Sequence, residues 1–105
     1  MHSELLFEVT SKLGTRIHLT REYWEIVATK KHPSVAGLLN EARLALIDPF
    51  EVRRSRQDPT IFLYYRKLNA KFICAVAKHL NDDGFVVTVY ITQKIKRGEV
   101  RWRSG

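Results

Sequence analysis

The sequence predicts an α+β domain: N-terminal strand or strands, then two helices packed on one face of an antiparallel meander sheet of about four to five strands. Three observations predict it. Apolar residues recur at three and four from Tyr23 to Leu46, the period of helices. From Ile61 to Ile95 they form strand-like runs instead. Only short polar pairs or quartets, Asn69-Ala70 and Asn81-Asp82-Asp83-Gly84, separate those runs, and short connections join antiparallel neighbours.

Each element follows in order. ELLFEVT, residues 4–10, reads as a short strand, with a turn at Lys12, Gly14 and Thr15 and a second short strand at RIHL. Thr20 is a good N-cap for a first helix, with Leu19 placed to staple onto Trp24. Tyr23, Trp24 and Val27 share one side of that helix. Lys30, Lys31 and His32 crowd its end, and Pro33 stops it. A second helix is expected from about Ser34 to Ile47 on the stripe Val35, Leu38, Leu39, Ala42, Leu46. Asp48-Pro49 ends it. Phe50 to Arg56 alternates apolar and basic, and Gln57-Asp58-Pro59 reads as a turn. Ile61–Leu68, Lys71–His79 and Phe85–Ile95 are the strong strands, and EVRW is a short last one. Lys71–His79 is apolar on both faces in its middle, so it is expected at the centre of the sheet.

The chain has 105 residues, which suits a single domain over residues 1–105 with one core. It carries 18 Lys plus Arg against 11 Asp plus Glu, a net charge of +7, and this favours an anionic partner such as nucleic acid. A lone cysteine, Cys74, rules out an intramolecular disulfide and suits a reducing compartment. No signal-peptide pattern, membrane-length apolar run, Gly-rich phosphate loop or zinc-ligand spacing of His2, His18, His32 and His79 is present. The expectation is a cytoplasmic protein with no cofactor, no metal and no membrane partner.

The stretch GFVVTVYITQKIKRG raises the functional question. Strand alternation puts Phe85, Val87, Val89, Ile91 and Ile95 on one face and Thr88, Tyr90, Thr92, Lys94 and Lys96 on the other. If helices cover the first face, the second lies open. Lys78 joins it from the neighbouring strand. The next strand offers either Tyr65 or Tyr64 with Arg66, and the basic strand before it offers either Arg54 with Arg56 or Arg53 with Ser55. Cations neutralise phosphate, tyrosines stack on exposed bases, and hydroxyls bind phosphate or relay protons. RNA carries its own nucleophile, so a metal-free nuclease needs only a base, an acid and cationic stabilisation. His32 is a candidate base or acid, although a residue there also reads as a helix C-terminal group on the dipole.

The run DPFEVRRSRQDPTIFLYYRKL through FICAVAKHLNDDGFVVTVYITQKIKRGEVRW, with REYWEIVATKKHP upstream, resembles prophage- and mobile-element-associated proteins of the barnase–EndoU–colicin–RelE-like ribonuclease superfamily. The resemblance covers roughly residues 16 to 102 and is diffuse. It implies a RelE-like helix-flanked antiparallel sheet and metal-independent RNA cleavage in a toxin or effector. It makes His32 a candidate base or acid, Lys78 and Arg54 candidate phosphate and transition-state stabilisers, and Thr88, Tyr90 and Thr92 active-face positions. Arg53, Ser55, Tyr65, Arg66, Lys94 and Lys96 complete the expected RNA-binding set. RNA is the expected partner, together with an acidic antitoxin or immunity protein. Two other readings use the same residues: a nucleic-acid-binding module without turnover, and a protein-interaction domain that pairs through exposed strands.

Overall fold

A computed structural model describes residues 4–104. The elements are β1 (Leu5–Thr10), β2 (Arg16–Thr20), α1 (Arg21–Ile26), α2 (Leu39–Ile47), β3 (Glu51–Arg54), β4 (Ile61–Leu68), β5 (Lys71–Leu80), β6 (Asp83–Thr92) and β7 (Glu99–Arg103). The strands form one seven-stranded sheet in the order β1-β2-β6-β5-β4-β3-β7. This overturns the expected four- to five-stranded antiparallel meander of RelE-like type. The sheet is larger, and it is mixed because β2 runs parallel to β6. That pairing joins Arg16–His18 to Asp83–Phe85, residues too far apart in sequence for any local pattern to reveal it. β5 sits at the centre, with β4 and β6 antiparallel on either side.

The helical segment also differs from expectation. Thr20 caps α1, its hydroxyl accepting from the Tyr23 N–H at 3.3 Å. After one and a half turns the helix widens into a π-turn over Val27–Lys31, followed by a 3-10 turn at Pro33–Val35. The second helix therefore starts at Leu39, not Ser34. Gly37, at φ +84°, makes the bend between them, where a side chain would be strained. Only α2 lies across the sheet, against β4, β5 and β1. Its Ala42, Ala45 and Leu46 are buried on Ile73, Ala75 and Ala77 of β5 and Tyr64 of β4. The α1 helix sits beside β2, and its π-turn reaches β6.

Two devices hold the β2 side of the sheet. Gly84 lies between β5 and β2: a Cβ there would collide with the Lys78 carbonyl oxygen and come within 2.8 Å of Ile17 Cδ1. The second device is a polar network under the β1–β2 turn. The Tyr64 hydroxyl donates to Ser11 Oγ at 2.9 Å and meets His79 Nε2 at 2.9 Å, while His79 Nδ1 meets Thr15 Oγ1 at 3.3 Å. Phe62 stacks on the His79 ring, with centroids 3.9 Å apart. Burial pushes the His79 pKa down to about 4 and the Tyr64 pKa up to about 12.

Two outcomes are expected. Gly84→Ala destabilises the chain by about 2 kcal/mol or more, because the clash is with backbone; a denaturation midpoint equal to wild type would refute the close approach. The histidine predicts a pH dependence. Between the ordinary value of 6.5 and the folded value of about 4, the unfolded chain binds a proton at His79 that the folded chain refuses. Unfolding free energy therefore declines as pH falls through that window, and His79→Gln flattens the decline. Urea titrations at pH 7.5 and pH 5 measure it, and an unchanged slope in the variant counts against the network.

Candidate functional site

Cross-strand pairing assigns the faces. Val76 lies opposite Thr88, Cys74 opposite Tyr90 and Phe72 opposite Thr92. Leu63 lies opposite Val76, Tyr65 opposite Cys74 and Ile61 opposite Lys78. These pairs share the face turned away from α2, where Leu63, Tyr65, Cys74 and Val76 form a second buried cluster. The expected division of β6 is corrected by a β-bulge. Ala77 pairs with Val86 and Val76 with Thr88, so Val87 is an extra residue. Val86, Val89 and Ile91 pack on the helix side, whereas Val87 and Ile95 pack on the second cluster. The bulge shifts the phase once, so strict alternation from Phe85 to Ile95 does not hold.

The freed Val87 carbonyl is held by the helical segment. Tyr23 Oη donates to it at 2.5 Å; Lys31 Nζ donates to Tyr23 Oη at 2.9 Å and to the same carbonyl at 3.3 Å. His32 follows Lys31 at the end of the π-turn, its N–H bonded to the Val27 carbonyl at 2.7 Å. Because β2 pairs only with the first residues of β6, the π-turn lies beside the later part of that strand. The imidazole thereby arrives 5.7 Å from the Tyr90 ring.

Beyond Thr92 the chain leaves the sheet, and Thr92 Oγ1 closes the turn by accepting from the Lys94 N–H at 3.2 Å and donating to its carbonyl at 3.0 Å. Residues 93–98 then cross to β7 at the far edge. The crossing is pinned on the way by the Lys96 N–H, which donates to Tyr65 Oη at 3.0 Å, and by Ile95 on the second cluster. Lys96 Nζ lies 5.4 Å above the Tyr90 ring. Gly98 passes the Arg54 carbonyl so closely that a Cβ would stand 2.8 Å from it.

Between this crossing, the loop after β3 and His32 lies a cavity of about 690 Å³. Ile61, Leu63 and Val76 line it with Thr88 and Tyr90; His32, Ser55, Arg56, Gln57, Lys96 and Arg97 complete it. Its floor is apolar and its exposed cations are Arg56, Lys96 and Arg97. Two hydroxyls on this face are buried: Thr88 Oγ1, which has no hydrogen-bond partner, and Tyr90 Oη, which interacts with the Tyr65 hydroxyl and the Cys74 thiol. Burial raises the Tyr90 and Tyr65 pKa values and pushes the Cys74 thiol to about 12, so these groups stay protonated.

Of the residues expected in the site, His32, Thr88, Tyr90, Ser55 and Lys96 are brought together. Lys78 shares the face but lies outside the lining, near Asp58, whose carboxyl is held below its usual value chiefly by the Thr60 hydroxyl and N–H. Thr92 and Lys94 belong to the turn. Tyr65 is fully buried beneath the crossing. Arg53 faces the same side but is held by Glu51 and by the Lys96 carbonyl at 3.5 Å. Arg54 and Arg66 point to the helix side: Arg54 bonds Glu99 at 2.9 Å, and Arg66 bonds the Asp48 carbonyl at 2.9 Å. The open alternatives thus resolve as Tyr65 with Arg53 and Ser55 on the cavity side, and Tyr64, Arg54 and Arg66 on the other. Gln57 and Arg97 are not among the expected site residues, and Arg56 belongs to the register of the basic strand that places Arg54 on the other face. Only the fold of the chain over the sheet face reveals them, since no sequence spacing links 55–57 to 96–97.

Glu51 anchors the wall of the site. It is 3% exposed and accepts from Arg53 and, at 3.0 Å, from Arg103 of β7. Burial alone would raise its carboxyl pKa, but the bonds from Arg103 and Arg53 outweigh it and hold the value below the ordinary one. Among the described residues, no three His, Cys, Asp or Glu side chains group so as to hold a metal ion. No helix among them is long and apolar enough to cross a membrane. No family model matches the chain, and no curated protein and no solved structure matches it significantly.

Tyr23→Phe removes the shorter of the two hydrogen bonds to the Val87 carbonyl while keeping the ring. The expected loss is about 1 kcal/mol of stability, the net worth of one hydrogen bond. Faster amide exchange at Val87 and Thr88 and a weaker His32–Tyr90 ring nuclear Overhauser effect should accompany it. Unchanged exchange and an unchanged ring contact would show that the tyrosine does not position the site.

Proposed function

We propose that this chain is a small endoribonuclease that cleaves RNA by attack of the 2′-hydroxyl, without a metal. The observation that carries the reading is the convergence of one imidazole, three cations and a protonated phenol on a single cavity. In this reading His32 takes the 2′-proton as the O2′–P bond forms. The P–O5′ bond breaks, and the 5′-oxygen takes a proton from water. The products are a 2′,3′-cyclic phosphate and a 5′-hydroxyl, with no change in oxidation state. Arg56, Lys96 and Arg97 stabilise the charge that grows on the phosphoryl oxygens. The apolar floor excludes water and strengthens those interactions.

One observation favours a second reading, a nucleic-acid-binding module without turnover: among the described residues, His32 is the only histidine in the cavity lining, so none of them offers a second imidazole as acid.

The test is incubation of purified chain with RNA in EDTA. Cleavage leaving cyclic or 3′-phosphate ends is expected, with substrate bearing 2′-O-methyl groups left intact. His32→Ala should lower the rate by about 10²- to 10⁴-fold, the usual share of acid–base catalysis. Lys78→Ala, outside the lining, should change it by less than about threefold, as a screened distant charge would. Salt-sensitive binding with no cleavage would overturn the enzyme reading in favour of the binding module.

A further inference from the structure

The cavity carries three exposed cations, Arg56, Lys96 and Arg97, and the fold treats them unequally. Lys96 is fastened at three points. Its N–H donates to Tyr65 Oη at 3.0 Å, its carbonyl accepts from Arg53 Nη1 at 3.5 Å, and its Nζ stands 5.4 Å from the Tyr90 ring centroid. The first of these bonds ends on a fully buried side chain. The flanks reinforce it: Ile95 packs on the second apolar cluster, and Gly98 passes tightly over the Arg54 carbonyl. Among the described residues, no comparable contact holds the side chain of Arg56 or Arg97. The Tyr65 hydroxyl also interacts with the Tyr90 hydroxyl and the Cys74 thiol. The links thus close on themselves, from the Lys96 N–H through Tyr65 to Tyr90 and back to the Lys96 ammonium. The same Tyr90 ring lies 5.7 Å from the His32 ring, so two tyrosines register the cation on the imidazole.

We propose that Tyr65 is a positioning residue of this site: its hydroxyl clamps residues 93–98 onto the sheet and so fixes Lys96 as the cation in register with His32. A lysine is a compact charge on a flexible stem, and on an unrestrained connection it swings through many rotamers. A charge stabilises a transition state best when it is already in place, because nothing then has to reorganise as the reaction proceeds. The clamp meets that condition for Lys96. Tyr65 itself is 0% exposed, so it touches no substrate and acts only through the lysine. Arg56 and Arg97 keep a phosphate bound when the clamp is lost, so the loss falls on kcat rather than on KM.

This inference rests on the ribonuclease reading, and one arm of its test needs no cleavage. The matched control is Tyr64→Phe. Tyr64 is equally buried, precedes Tyr65 on the opposite face of the sheet, and also gives up a hydroxyl bond, the one to Ser11. In the free chain, amide hydrogen exchange at Lys96 should be about tenfold faster in Tyr65→Phe and unchanged in Tyr64→Phe. With RNA in EDTA, Tyr65→Phe should lower kcat about tenfold and leave KM within about twofold, whereas Tyr64→Phe should move neither. Gly98→Ala disturbs the same segment from its far end, because the added Cβ would stand 2.8 Å from the Arg54 carbonyl oxygen. It should repeat both effects, which keeps the question answerable if Tyr65→Phe folds poorly. Unchanged Lys96 exchange, an unchanged kcat, an equal kcat loss in Tyr64→Phe, or a loss confined to KM would each overturn the clamp. A wild type that binds RNA and never cuts it would remove the ribonuclease reading, and the exchange arm would then decide the clamp by itself.

Discussion

The connection from β6 to β7 must travel from the third to the seventh position of the sheet on residues 93–98. Four strand spacings amount to about 19 Å. The seven Cα steps from Thr92 to Glu99 reach about 24 Å when extended. There is little slack, so the segment cannot loop away into solvent and has to run close over the sheet. The sheet face under it is correspondingly specialised: Tyr65 is buried to receive the Lys96 N–H, and Ile95 turns down onto the apolar cluster. A face that would otherwise be open becomes a cavity with a wall. The cations of the segment, Lys96 and Arg97, are carried to the cavity by that short reach and by no local preference of their own.

The opposite wall depends on a second constraint. β2 accompanies β6 for only three residues, and the chain then turns into α1. The later half of β6 is covered by the π-turn and 3-10 turn, and the bulge at Val87 turns a carbonyl toward them. Tyr23 and Lys31 bind that carbonyl, so one contact fixes the phase of Thr88 and Tyr90 and the approach of His32. The adjacency of His32 and Lys31 in sequence makes this coupling mechanical. The wide turn places the lysine on the strand and the next residue over its face.

The charge of the chain is distributed unevenly in consequence. Many arginines are consumed by structure: Arg53 and Arg103 hold the buried Glu51, Arg54 and Arg101 share Glu99, and Arg66 spans Glu41 and Asp48. Exposed pairs of this kind add little stability each, and the carboxylates beside those cations offset part of their charge toward a polyanion. The cavity retains Arg56, Lys96 and Arg97. A net charge of +7 is thus a poor guide to where an anion binds, and the geometry of the crossing is a better one.

The sequence by itself determined the strands and most of their limits. Period-two runs and Asn-containing turns located β4, β5 and β6, with Asn69 and Asn81 in the left-handed region that asparagine tolerates. It determined the cap at Thr20, the central place of β5 and the presence of a basic, tyrosine-bearing strand set. Tertiary structure alone decided the parallel pairing of Arg16–His18 with Asp83–Phe85, the seat of β7 beside β3, the bulge at Val87, and hence which cations meet His32. The physical reason is range. Helix and strand periods arise from contacts a few residues apart and leave their mark in local order. Sheet order, a crossing over the face and the meeting of residues 32, 56, 88 and 97 arise from contacts between distant segments, whose energy depends on the shape the whole chain has taken.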